Sequence, residues 1–209
     1  MQAEKCWDNT QHFLNRWNKE TRDEALKLLK ANLTNKNLLK HCFSCEVVMK
    51  YLAAHFGADR DKWALAGLLH DIDYDVTKDD PSRHSLLGAE MLEEAGLPAD
   101  VVQAVRVHND AHGIPRVSLM DKCLFSTDPV TGLIVAGALI KPEKKLNAID
   151  VDFLVKRFHE KSFARGANRE TIAACREFGM TLEEFLGISL EAMQSISQIL
   201  QRVRELAVY

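Results

Sequence analysis

Leu68-Leu69-His70-Asp71-Ile72-Asp73-Tyr74 is the stretch on which the reading of this 209-residue chain turns. Before it, Trp63, Ala64, Leu65, Leu68 and Leu69 recur at helical spacing, with Asp59 or Asp61 available as a cap. After it comes a polar loop, Asp73 to Asp80, closed by Pro81. Two adjacent residues cannot share one helix face. A metal held by both His70 and Asp71 therefore needs a helix end or a distortion at that dipeptide. The change from apolar helix to polar loop falls there.

Upstream, Leu38, Leu39, Cys42, Cys45, Val48, Met49 and Leu52 outline a helix that Thr34 or Asn35 caps and Gly57 stops, with His41 near one end. Downstream, Pro81 or Ser82 opens a helix through Leu92, ended by Gly96 and Pro98, and another runs from about Ala99 to His108. Asp121 to Ile140 is helical in composition but contains Pro129. Either the helix kinks there, or Asp128 caps a fresh helix with proline at its first position; both put Asp128 at a helix junction. From Val151 two or three amphipathic helices continue, with Ile188, Leu190, Met193, Ile196, Ile199, Leu200 and Val203 expected to cover the core. No alternating run argues for a strand. The fold expected is an all-α bundle: an N-terminal helical segment (1–35), a core (36–142), and C-terminal helices (143–209) completing the same domain.

Hydrophobic residues make up 46% of the chain and charged residues 27%, enough for a packed core. A net charge of −3 gives no support for a nucleic-acid polymer as partner, and leaves room for a small phosphorylated substrate. The apolar run Leu133–Ile140 is too short to cross a bilayer, and Met1–Asp8 has no leader-type apolar segment. Five cysteines without framework spacing point to reduced thiols and a cytoplasmic setting. Cys42 and Cys45 form a C-x-x-C after His41, but no second pair completes a closed zinc site, so burial on a helix is expected of them.

In chain order His41, His70-Asp71 and Asp128 each stand at or near the end of an apolar helical stretch. Imidazole and carboxylate together suit Zn, Fe, Mn or Mg.

This ordered set, H…HD…D, resembles the HD superfamily of metal-dependent phosphohydrolases. The resemblance runs from about Leu38 to Ile140, and its most diagnostic pieces are Leu68–Tyr74 and Asp128-Pro129-Val130-Thr131-Gly132-Leu133-Ile134. It implies an HD helical domain with a metal on His41, His70, Asp71 and Asp128. Two-metal members carry two further histidines between the dipeptide and the last Asp, and His84 and His108 stand in that interval. In this respect the chain is similar to HD diadenosine tetraphosphatases. The likeness implies a second metal on His84 and His108 with Asp71 bridging, hence one or two divalent ions. His112 is an alternative to His108; His12, His55 and His159 have no matching context.

The implied activity is hydrolysis of a phosphoester or phosphoanhydride in a small phosphorylated substrate, a nucleotide, by metal-activated hydroxide that Asp71 helps to position. Asp73 either holds a ligand histidine or accepts a proton in the leaving-group step. Lys161, Arg165 and Arg169 fall at four-residue steps and line one stripe if that stretch is helical, although Gly166 weakens a helix there. With Arg83, beside His84, they are the candidate substrate-facing cations. Alternatives on the same ligands are a single-metal nucleotidase, a di-iron oxygenase, and a nucleotide sensor without turnover. The intact ligand set argues against the last.

Overall fold

The structure is a computed structural model and describes residues 19–197. The helices are α1 (Lys19–Asn32), α2 (Lys36–His55), α3 (Arg60–Leu69), α4 (Tyr74–Thr77), α5 (Leu86–Glu94), α6 (Ala99–Val107), α7 (Leu119–Leu139), α8 (Val151–His159), α9 (Arg169–Ala173) and α10 (Leu182–Ser195). No strand occurs among the described residues, so the all-α expectation holds.

Local chemistry sets the helix starts. The Asn35 side chain accepts from the N–H groups of Asn37 and Leu38, and Asp59 accepts from those of Asp61 and Lys62. Each satisfies donors that the first turn leaves orphaned. Ser118 and Asp121 form a reciprocal capping box, which starts α7 at Leu119, two residues before the start expected from composition. Thr181 and Glu184 do the same for α10.

The pair α2 and α3 forms the centre of the bundle, and α7 and α10 pack against α2. Gly67 explains how closely α2 and α3 approach. A Cβ built there would lie 2.5 Å from the carbonyl oxygen of Cys45, far inside van der Waals contact. Around this crossing Met49, Leu52, Leu68, Leu124, Leu133 and Phe185 are fully buried. Each such side chain contributes roughly 1.5–3 kcal/mol relative to exposure. Leu190 and Met193 of α10 face this core, whereas Ile199, Leu200, Val203 and His12 lie outside the described residues.

Three local expectations are corrected. First, residues 81–85 form turns and α5 begins only at Leu86, so His84 stands in the approach to that helix and not in its first turn. The reason is a distant carboxylate: Asp73 Oδ2 accepts from the N–H groups of Ser85 and Gly88 at 2.8 and 2.9 Å and caps the helix from outside. Second, α7 runs unbroken through Pro129, so Asp128 projects from a helix interior and not from a junction. Proline there forgoes one backbone hydrogen bond, and the buried flanks Leu124, Val130, Leu133 and Ile134 hold the helix together. Third, α8 stops at His159 and residues 161–166 are turns, so Lys161, Arg165 and Arg169 do not share a helical stripe. No helix among the described residues is long and apolar enough to cross a membrane.

Candidate metal centre

The end of α3 at Leu69 turns His70 and Asp71 toward one point, as a ligating dipeptide requires. His41 comes from α2, His84 from the turn before α5, His108 from the C-terminal end of α6, and Asp128 from α7. His70 and Asp73 are fully buried, while Asp128 is 41% exposed and lies on the accessible side of the cluster.

Asp71 divides the group in two. Its Oδ2 lies 3.4 Å from His70 Nε2 and 3.6 Å from His41 Nε2. Its Oδ1 lies 3.4 Å from His84 Nε2 and 3.8 Å from His108 Nε2. Asp128 Oδ1 completes the first half, 3.1 Å from His41 Nε2 and 4.0 Å from His70 Nε2. The structure thus brings together all six residues expected as ligands. Groups capable of holding an ion include His70 with His108 and Asp128, and Asp71 with His84 and His108.

The outer edge of every ring is tied down. Nδ1 of His70 is 2.9 Å from the Gly67 carbonyl, and Nδ1 of His108 is 2.7 Å from that of Val105. A carbonyl only accepts, so both Nδ1 atoms carry the proton and both Nε2 atoms present a lone pair. His84 Nδ1–H donates to Asp73 Oδ1 at 2.9 Å. The Thr131 hydroxyl donates to the Asp128 carbonyl and so accepts from His41 Nδ1–H at 3.0 Å. Four Nε2 lone pairs and two carboxylates therefore converge.

Buried His108 Nε2 has no hydrogen-bond partner and faces a carboxylate oxygen, a pairing of two electron donors. A cation between them would satisfy both, and imidazole with carboxylate is a donor set that fits divalent metal.

Without metal, the electrostatics favour protons on some of these nitrogens. Burial opposes charge on His41, but the Cys45 sulfur and Asp128 carboxylate hold its pKa well above the usual imidazole value. Burial likewise opposes charge on His84, and Asp73, Asp71 and Asp128 raise it. Burial, reinforced by the charge of His70, pushes His108 down to about 4. Burial would raise Asp128, yet its hydrogen bond to His41 and the surrounding imidazoles hold it far below the usual carboxylate range. Asp73 is lowered too: burial is outweighed by His84 and the amides of Gly88 and Ser85.

The remaining expected residues stand elsewhere. Lys161, Arg165 and Arg83 are exposed and make no side-chain bond to the cluster among the described residues. The Arg169 guanidinium donates to five backbone carbonyls, those of Arg157, Phe158, Phe163, Ala164 and Ala167. It ties the turn after α8 through these bonds. His112 donates to the His84 carbonyl at 2.6 Å and supports that turn. His55 and His159 are exposed against neighbouring phenylalanines.

Three contributors carry no mark that the sequence alone revealed as functional. Thr131, three residues after Asp128, orients His41. Cys45, one turn after His41, places its sulfur 3.8 Å from His41 Nε2. Gly67 supplies the carbonyl that fixes His70. The i+3 and i+4 spacings of Thr131 and Cys45 are visible signals; the role of a backbone carbonyl has none.

The HD domain family model matches residues 38–154, reaching beyond Ile140 into α8. The chain belongs to the HD-domain family, within the superfamily of metal-dependent phosphohydrolases. Among curated proteins it is similar to ribonuclease Y of Lawsonia intracellularis, 28% identical over 140 residues, covering 65% of this chain and 26% of that protein. Ribonuclease Y of Thermotoga petrophila is 28% identical over 142 residues, covering 65% and 27%, and that of Chloroflexus aurantiacus is 34% identical over 74 residues, covering 35% and 14%. The chain spans about a quarter of the length of the first of these relatives. No solved structure matches.

Proposed function

We propose that this chain is a binuclear HD phosphohydrolase that cleaves a phosphoester or phosphoanhydride bond in a small phosphorylated substrate of nucleotide type. The observation that carries this reading is Asp71, whose two oxygens face separate histidine pairs. His41, His70, Asp71 and Asp128 would hold one divalent ion, and Asp71, His84 and His108 the other; Zn, Fe, Mn and Mg all suit these donors. When bound, the ions polarise phosphoryl oxygens and lower the pKa of bound water to about 7, which supplies a nucleophile at neutral pH.

The chain's own residues do the rest. Asp73 orients the His84 ring, and the Gly67 and Val105 carbonyls orient those of His70 and His108, so the Nε2 atoms are turned inward before anything binds. Asp71 holds the two halves at one spacing. Asp128, the most exposed ligand, marks the side from which phosphate arrives. Arg83, exposed beside His84, is a candidate to offset charge growing on the phosphoryl oxygens, and Lys161 and Arg165 are further candidates in that role. The buried Asp73 carboxylate, with both oxygens engaged, serves better as a support than as a proton acceptor for a leaving group.

A second reading, hydrolysis of an RNA phosphodiester, is favoured by the name of the similar proteins. It stands against the expectation that no nucleic-acid polymer is a partner. The deciding experiment counts metal per chain, then measures hydrolysis of bis(p-nitrophenyl) phosphate, a nucleotide panel and a short RNA. Two metals per chain and turnover of nucleotides over RNA support the first reading. Turnover of RNA alone moves the assignment to the second. No metal after reconstitution, or no turnover of any phosphate ester, overturns both.

A further inference from the structure

Beside the metal centre a cleft of about 480 Å³ opens between α2, α7 and the segment from Lys144 to Leu146. His41 and Thr131, partners in one hydrogen bond, both line it. The His41 ring is thus a shared wall, with Nε2 toward the metal ligands and Nδ1 toward Thr131. Val135 and Leu139, respectively 40% and 45% exposed, give the cleft an apolar face that the described chain leaves uncovered. Lys40, Lys144 and Lys145 line it as well, and among the described residues no carboxylate does. None of these three lysines makes a salt bridge or a side-chain hydrogen bond among the described residues, and Lys40 is half-buried. Three ammonium groups beside an apolar wall, with no carboxylate near them among the described residues, make a suitable place for an anion to settle.

We infer that this cleft is the subsite for the part of the substrate that is not hydrolysed: an aromatic base against Val135 and Leu139, and a phosphate held by Lys40, Lys144 and Lys145. The inference rests on the phosphohydrolase reading and deepens it. It selects substrates with at least two phosphates and a base, since one phosphate must reach the metals while another meets the lysines. A monophosphate ester without a base gains nothing from the cleft. Lysine suits this role as a mobile point charge that follows a flexible phosphate chain.

The test uses the full-length, metal-loaded protein and its variants Lys40→Glu and Lys144→Glu/Lys145→Glu, none of which alters a metal ligand. Two measurements are made on each: equilibrium binding of ADP and of adenosine, and hydrolysis of bis(p-nitrophenyl) phosphate. ADP is expected to bind wild type and to weaken about tenfold or more in each variant, the usual worth of a charge-assisted contact. Adenosine binding and hydrolysis of the small ester should stay unchanged. A Val135→Asp variant should weaken both ADP and adenosine. ADP binding that ignores every substitution, or no ADP binding to wild type, overturns the inference and leaves the cleft to another occupant, such as the segment after Ser197. Absence of ester hydrolysis in wild type would instead overturn the phosphohydrolase reading. The two failures have separate readouts.

Discussion

Asp73→Asn replaces a buried carboxylate with its nearest isostere, and the hydrogen bonds around it set the consequence. The carboxylate accepts three of them, at 2.9 Å from His84 Nδ1–H and at 2.8 and 2.9 Å from the amides of Ser85 and Gly88. Asparagine has one oxygen to offer. If that oxygen keeps the two amides capping α5, the NH₂ group meets His84 Nδ1, and two donors cannot share the bond. His84 then moves its proton to Nε2, where Asp71 Oδ1 stands 3.4 Å away to receive it. The nitrogen that should ligate metal becomes a donor. Loss of such an outer partner weakens metal binding about 10–100-fold, or roughly 1.4–2.8 kcal/mol. The loss should fall on the second ion alone, because His41 and His70 take their tautomers from Thr131 and Gly67. Calorimetric titration with Mn²⁺ resolves this, with a thermal melt showing that α5 stays capped. Equal loss at both sites, or unchanged affinity at the second, would refute the tautomer argument.

The same geometry sets other expectations. His108→Ala should bind one metal per chain and Asp71→Ala essentially none, with helical circular dichroism retained in both; elemental analysis separates the two. Gly67→Ala forces a methyl to 2.5 Å from a carbonyl oxygen, so the melting temperature should drop by the equivalent of about 1–3 kcal/mol or more. Arg169→Ala should destabilise by about 1.5–3 kcal/mol, with Arg169→Lys failing to rescue it, while hydrolysis per folded molecule is unchanged; a raised KM instead would return Arg169 to the substrate. His84 is raised above its ordinary value by its carboxylate neighbours. In metal-free protein its contribution to stability is therefore full below pH of about 6.5 and fades as pH climbs through the raised pKa, which melts across a pH series would reveal. Metal competes with that proton, so Mn²⁺ affinity should run the other way and strengthen as pH rises.

The six residues that cluster were legible because each carries its own chemistry and their order resembles the HD pattern. The all-α class was legible from periodicity. What escaped depended on long-range contacts. The start of α5 is decided by Asp73, which lies eleven residues before His84, and no local capping rule contains that information. Pro129 stays inside α7 and does not start a new helix, because tertiary packing outweighs one lost hydrogen bond. Lys161, Arg165 and Arg169 satisfied a helical spacing, but residues 161–166 between them are turns and Arg169 only opens the next helix. Arg169 then lends its charge to carbonyls, which sequence spacing cannot distinguish from lending it to phosphate.

The contact of Gly67 with Cys45 has a consequence beyond packing. Where two helices cross through side chains, their separation depends on whichever residues happen to fill the gap, and it shifts as those residues are exchanged over time. Here the crossing is main chain against main chain, one turn from His41 on α2 and three residues before His70 on α3. The gap between the two histidines is therefore gauged by peptide groups, whose dimensions do not vary with sequence. The glycine acts as a ruler for the candidate metal centre.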